Sequence, residues 1–455
     1  MLNMILNKTI DFMKSNLLIS LKLPLILTLF CSVLTSCSKE QQATSGEEVK
    51  LKPSGSPILT DLFRNSYRVY EMQRNAKGIY RDSKLFNGTD YHPASVANIG
   101  TGLISLCIAD KMGWISNGSQ QAITTLQTIL GQNPAFHLDV NTAGFPRHFV
   151  DMETGARAWD SEYSTIDAAI MVSGALFCKK YFSANTTIAS LVDALYQSIN
   201  WSKAIANPST GAIYLSLDAN GNGIGNTAVY NEYMIVAHLA YKAENGAGGP
   251  ATTLWNNFYA NTSNLPKSNY WGYQVLTDAP GSFLSDFIPQ FCYYLCHPYA
   301  ANTAYMQYMN NAMQADKKWW TFTSGISSYE WGLGAGSDPA GYHANRIDDN
   351  SGKVVSPHII SGFIPINSSA KDDLLSLYNA NKGVYTLPGT SHKILWRYSI
   401  SNPSWRANEV QGIDFSSMLF GLASLPENCG TTFFSTYNDY NFPVYSFLPI
   451  NLTTR

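Results

Sequence analysis

The chain has 455 residues, of which 14% are charged and 13% aromatic, with a formal net charge of −2 at pH 7; an average soluble protein is about 25% charged. Phosphate-rich partners need clustered Lys and Arg, so this composition excludes nucleic acid as a partner. Neutral ring-shaped ligands fit it, because sugar C–H faces stack on aromatic rings while Asn, Gln, Asp and Tyr bond the hydroxyls.

Residues 1–37 read as a targeting segment rather than as fold. Lys14 and Lys22 precede the apolar run Leu23 to Phe30, which leads to Leu34-Thr35-Ser36-Cys37. That ending resembles a lipobox, in which small residues admit the signal peptidase and the cysteine thiol takes the lipid. The expected product is an outer-membrane lipoprotein lipidated at Cys37, held to the membrane through its lipid anchor only; an ordinary secretory signal is the alternative. Pro24 interrupts an apolar stretch already too short to span a bilayer. Residues 38–60, polar and poor in apolar side chains, read as a flexible tether, and 61–455 as one domain.

Within that domain, 3.6-residue periodicity predicts helices over 61–75, 95–112, 119–131, 164–183, 188–200, 228–243, 251–260, 283–297, 302–316, 369–379 and 412–424. Long Gly- and aromatic-rich loops separate them, with hairpins expected near 208–217 and 384–400. No linker and no repeat signature divides the chain. Ser164-Thr165-Ile166-Asp167 matches a capping box and marks a helix start. Cys107 and Cys178 lie in apolar helical runs as small hydrophobes, and no disulfide framework is expected. Cys292 and Cys296 stand beside His297, but no second ligand pair sits at zinc spacing, so no metal and no cofactor are expected. Asp218-x-Asn220-x-Asn222-Gly223 opens like a calcium loop but has Val229 where a bidentate acid belongs, and reads as a tight turn.

Candidate chemistry concentrates on the loop before Ser164, where Arg157, Trp159, Asp160 and Glu162 crowd together. A helix through Glu232 would set its carboxyl on one face with Ile235, Val236 and Leu239. Burial there raises a carboxyl pKa, as a general acid requires; a capping or ion-paired glutamate is the competing reading. Asp160 or Glu162, across a cleft from Glu232, would complete a pair of carboxyls, unless Arg157 merely pairs with one of them. Asp167 is better explained by capping than by catalysis. Asp414, close to a helix start, is open to both readings.

Five stretches in order resemble the glycoamylase-like family of bacterial glycoside hydrolases, whose members include endo-β-1,2-glucanases. They are Pro93 to Gly100; His148 to Gly155 with Ser161-Glu162 and Ser164 to Asp167; Tyr230-Asn231-Glu232; Trp331 to Ala335 with Ser337-Asp338-Pro339 and Gly341-Tyr342; and Gly412-Ile413-Asp414. The chain departs from the family at IPQFCYYLCHPY and KILWRYS. The resemblance implies an all-α (α/α)6 toroid with cleft-lining loops at one end and a hydrolase that cleaves a β-glucosidic bond, with β-1,2-glucan favoured; inversion, a monomeric state and the lipid anchor on Cys37 complete the expectation. Glu232 would be the acid, and Asp160 or Glu162 would activate water. His148, Arg157, Asn231, Asp338 and Asp414 would bind sugar, with Trp159, Tyr230, Trp331 and Tyr342 as stacking platforms, at least one of which also has a core role. A glycan-binding lipoprotein without catalysis, or a transglycosylase or glycosidase for another linkage, are the alternatives.

Overall fold

The structure is a computed structural model that describes residues 55–88 and 93–449. The targeting segment, Cys37 and the tether as far as residue 54 lie outside the described residues. No described helix is long and apolar enough to cross a membrane.

Along the chain, outer and inner helices alternate: α1 (Pro57–Gln73), α2 (Val96–Lys111), α3 (Gly118–Ile129), α4 (Thr165–Tyr181), α5 (Thr186–Gln197), α6 (Met234–Ala243), α7 (Pro250–Leu254) continued by a π turn, α8 (Phe287–Leu295), the single turn α9 (His297–Ala300), α10 (Thr303–Trp320), α11 (Pro357–Gly362), α12 (Ala370–Asn379), α13 (Gly412–Ala423) and a short α14 (Phe433–Tyr437). Burial separates the two sets. Every residue is buried over 96–109 in α2, 167–178 in α4 and 414–423 in α13, the mark of a helix surrounded by others. By contrast α5 buries Ile188, Leu191, Val192, Leu195 and Tyr196, one face only.

The inner helices close a ring: α2 packs on α4, α4 on α6, α6 on α8, α8 on α11, α11 on α13, and α13 back on α2. Around it stand α1, α3, α5, α7, α10 and α12, which makes an (α/α)6 barrel. Two glycines allow the closest contact in the ring. A Cβ on Gly174 of α4 would lie 2.1 Å from the Gly100 carbonyl oxygen of α2, and one on Gly100 would lie 2.3 Å from the Ile170 oxygen.

The two ends of the barrel are built differently. Outer-to-inner connections are long (74–95, 130–164, 198–233, 260–286, 321–356 and 380–411), whereas inner-to-outer connections are short (112–117, 182–185, 244–249, 296–302 and 363–369). The long ones carry small sheets, among them Ala335–Asp338 paired with Gly341–Ala344, and Ala94–Ser95 paired with Phe149–Val150. Asp218 does make a tight turn, its Oδ1 accepting the Asn220 and Asn222 N–H groups.

Several predicted boundaries move. Helix α1 starts at Pro57, so 57–60 belong to its first turn and not to the tether; proline is favoured there because its missing N–H is not needed. The helix expected from 228 begins only at Met234, because Tyr230 takes φ +70° and the Asn231 side chain caps the Tyr233 N–H in a turn. Helix α11 was not expected at all: six residues between Pro357 and Gly362 carry too little periodicity to register.

Candidate active site

Because the inner helices run the same way, their N-termini gather at the long-loop end, where unpaired N–H groups and helix dipoles favour negative charge. The carboxyls are found there. Asp167 is the third residue of α4 and Asp414 the third of α13, while Glu232 stands two residues before α6. In the ring α6 lies opposite α13 and next to α4. Glu232 and Asp414 therefore stand at opposite positions of the ring.

A cavity of about 580 Å³ opens at this end, with Asp82, His148, Trp159, Asp338, Tyr342 and Trp405 in its wall. Glu232 keeps some solvent access, but protein crowds its carboxyl: burial, with smaller repulsion from Asp167 and Asp278, pushes its pKa up to about 7. Burial likewise lifts Asp414 to about 6, against the pull of Arg397 and the hydrogen bond from Tyr342 Oη to its Oδ1 at 3.1 Å. The other oxygen, Oδ2, is buried without a partner. Asp82 rises to about 7 through burial, opposed by His148 and reinforced by Asp414, Glu409 and Asp167.

His148 sits between two carboxylates, with Nδ1 3.2 Å from Glu162 and Nε2 3.6 Å from Asp167. Burial alone would lower its pKa, but Asp167, Glu162 and Asp82 outweigh that and raise it to about 9. The imidazolium bond in turn holds Glu162 below the usual carboxylate range. These three side chains are close enough to share a cation. The capping box is half formed: Ser164 Oγ accepts the Asp167 N–H at 3.2 Å, but the Asp167 carboxylate accepts the Ser164 hydroxyl instead of reaching back to a backbone donor.

The aromatic candidates divide. Trp159, in the left-handed region at φ +51°, stands exposed beside Phe149, whose ring stacks on His148 at 3.7 Å. Tyr342 projects from the hairpin Ala335–Asp338/Gly341–Ala344, also exposed. Asp338 beneath it accepts from the Ala340 N–H and faces His343 Nδ1 at 2.9 Å; these and Asn345 outweigh burial and lower its pKa. Tyr230 and Trp331 are not platforms. They are 2% and 1% exposed, and Trp331 Nε1 donates to Asp373 at 2.8 Å. Asn231 serves the turn that sets Glu232.

Asp160 also moves from its expected role. Its side chain is 98% exposed and paired with Arg157 on the rim, and the loop it shares with Glu162 leads into α4, beside α6 and not across from it.

Sequence reading missed Asp82, Trp405, Gln411 and Arg397. Gln411 ties the hairpin to the α13 approach through Ser337. Arg397 is wholly buried beneath the same hairpin, bonded to Asn345 and the His343 carbonyl. Its signal was the KILWRYS departure itself: an arginine amid apolar residues is either paired or unstable.

A second depression, about 700 Å³ and shallower, lies at the short-loop end beside Asp110, Lys111, Tyr181 and Phe182. It holds no converging acids.

No protein-family model matches the chain, and no curated protein does. Solved structures do. An endo-β-1,2-glucanase from Chitinophaga pinensis, in complex with sophorotriose and glucose, is 17% identical with TM-score 0.70, over 84% of this chain and 94% of that one. The endo-β-1,2-glucanase from Talaromyces funiculosus with sophorose is 13% identical with TM-score 0.59, over 84% and 85%. A D-mannose isomerase is 11% identical with TM-score 0.52, over 81% and 98%. Likeness at this identity identifies a fold: the chain has the (α/α)6 barrel found in endo-β-1,2-glucanases.

Proposed function

We propose that the protein is a glycoside hydrolase that cleaves a β-glucosidic bond in a glucan, β-1,2-glucan first among candidates. The observation that carries this reading is a pair of carboxyls with raised pKa values, Glu232 and Asp414, at opposite positions of the helix ring on the end where the aromatic-walled cavity opens. At near-neutral pH Glu232 keeps a proton to give to the leaving glycosidic oxygen. Asp414, ionised above about pH 6, is the stronger candidate for activating water, because it is more basic than Glu162 and its Oδ2 has no other partner. Inversion belongs to the same proposal: inverting pairs stand roughly 6.5–9.5 Å apart with a water between them, and acids held on opposite ring helices are compatible with such a spacing. The two neighbouring glucanases, one bound to sophorotriose and one to sophorose, support the choice of linkage.

The sugar rests against Trp159 and Tyr342, with Asp338 and His148 as hydrogen-bond partners. Anchoring through a lipid on Cys37 at the outer membrane belongs to the same proposal, as does action as a monomer. Incubating residues 38–455 with a panel of β-glucans tests the activity: oligosaccharides from β-1,2-glucan, with an inverted anomer seen by NMR at early times, are expected. Inert glucans throughout overturn the hydrolase reading, and a retained anomer overturns inversion. Labelled palmitate incorporated by the whole chain, and lost in Cys37→Ala, tests the anchor.

A further inference from the structure

Outside the catalytic cavity the long-loop end carries a second aromatic surface. The hairpin Lys267–Tyr270/Tyr273–Leu276 closes with a two-residue loop, Trp271-Gly272, in which both residues have positive φ, +50° and +90°. Turns of this kind favour Asn-Gly, since a bulky side chain is poorly accommodated in the left-handed region. Here a tryptophan takes the first position and stands 41% exposed. Its ring lies 5.5 Å from that of Phe322, which is 61% exposed, and Lys318 Nζ is 5.4 Å from the Phe322 ring centre. The tip is braced: the Tyr270 ring meets Phe283 edge-on at 5.3 Å and its hydroxyl donates to the Gly281 carbonyl at 2.7 Å.

A recess of about 440 Å³ adjoins this pair of rings, with Tyr273, Gln314, Thr321, Thr323 and Ser328 in its wall and Glu330 at its floor. The Glu330 carboxylate is already engaged by the Ser327 N–H and the Tyr398 hydroxyl. Thr321, Ser328 and Gln314 give the recess hydroxyls and an amide, and Lys317 and Lys318 add ammonium groups to its wall. Aromatic faces beside hydroxyl, amide and ammonium groups match a sugar, apolar on its ring faces and hydroxylated at its edge. The position fits as well. This hairpin lies in the connection entering α8, and Phe322 opens the connection that continues to Asp338 and Tyr342 of the catalytic cavity. The two cavities share no wall residue.

We propose that Trp271 and Phe322 form a non-catalytic binding surface for a glucan chain, holding polymer at the rim while another stretch of it occupies the cleft. The inference rests on the glucan-hydrolase reading, and its test separates the two. In the intact protein, Trp271→Asn combined with Phe322→Ala removes both rings while giving the turn a residue it favours. With long β-1,2-glucan, KM should rise about five- to tenfold, the loss of two stacking contacts. The kcat, the melting temperature and the kinetics on short oligosaccharides should stay as they were. Unchanged KM on polymer overturns the surface and leaves the hydrolase standing. If no glucan is cleaved, electrophoresis through gels containing each glucan decides: retardation of the wild type that the double variant loses supports the surface, and free migration of the wild type in every gel overturns it. A wild-type dimer that the double variant dissociates, seen by size-exclusion chromatography with light scattering, would assign the rings to a protein contact and likewise overturn it.

Discussion

The barrel's two ends are made by the same twelve helices, yet among the described residues it is the long-loop end that gathers carboxyls and exposed rings around a cavity. At the short-loop end the helices finish with lysines in their last turns, Lys111 on α2 and Lys179 and Lys180 on α4, the expected complement to a helix C-terminus. The depression there is the larger of the two, about 700 Å³ against 580 Å³. Among the described residues it nevertheless has no opposed acids and no rim of exposed rings. At the other end, long connections bring carboxyls over the helix N-termini and shield them from water, so that partial positive charge and burial act on the same groups in opposite senses. Cavity size therefore does not find this site. Convergent titratable groups do.

The largest expected effect breaks that contrast at its chemical centre. Glu232→Gln keeps size and hydrogen bonding but has no proton to transfer, so turnover on glucan should fall by about 10²–10⁴-fold with the melting temperature unchanged. A substrate with a good leaving group should recover part of the loss, because it needs little protonation. Asp414→Asn should cost about as much without that recovery, whereas Asp160→Asn, on the exposed rim, should stay within a few-fold. Near-normal turnover by a folded Glu232→Gln protein would remove the acid from the proposal.

The acid–base pair also predicts a pH profile. Asp414 must be ionised and Glu232 protonated, so activity should decline below about pH 6 and above about pH 7. Stability should follow a different curve. His148, Asp82, Glu232 and Asp414 all hold protons more tightly when folded than when unfolded, so the stability they contribute is present at low pH and lost as pH rises. The carboxyls act between about pH 4 and 7, and His148 between 6.5 and about 9. The melting temperature should thus fall from pH 7 to pH 9, and His148→Gln should flatten that segment. An unchanged slope in this variant, measured by calorimetry, would show that the imidazole is not held protonated.

Much of this was legible in the sequence where pattern and function coincide. Ring helices such as α2 and α4 are apolar on every side, and Ser95 and Ser164 accept N–H bonds at their starts, so their existence and limits could be read locally. Helix α11 could not, because its six residues are stabilised by the neighbours that surround it. Glu232 was found through the Tyr-Asn-Glu pattern although the helical face argued for it does not exist; the turn through Tyr230 and Asn231 is what sets it. Asp82 was missed because a lone aspartate in a loop carries no signal until Gly412 donates to its carbonyl and draws that loop to the α13 start. Asp160 and Glu162 looked equivalent by spacing, and only the strand pair Tyr163–Ser164 with Ser216–Leu217 and the bond to His148 tell them apart.

The smallest expected effect lies at the short-loop end. Asp110 is half-buried at the close of α2 and accepts the Tyr181 hydroxyl at 3.0 Å. Asp110→Asn retains an acceptor for that hydroxyl and removes one charge from the wall of the larger depression. The bond weakens from charged to neutral, a change of about 1 kcal/mol at most, so the melting temperature should drop only slightly. Turnover on glucan and its pH profile should be unaltered, because no connection from this end reaches the cavity. A fall in kcat beyond what unfolding explains would mean that the depression takes part in the reaction, and the division of labour between the two ends would have to be abandoned.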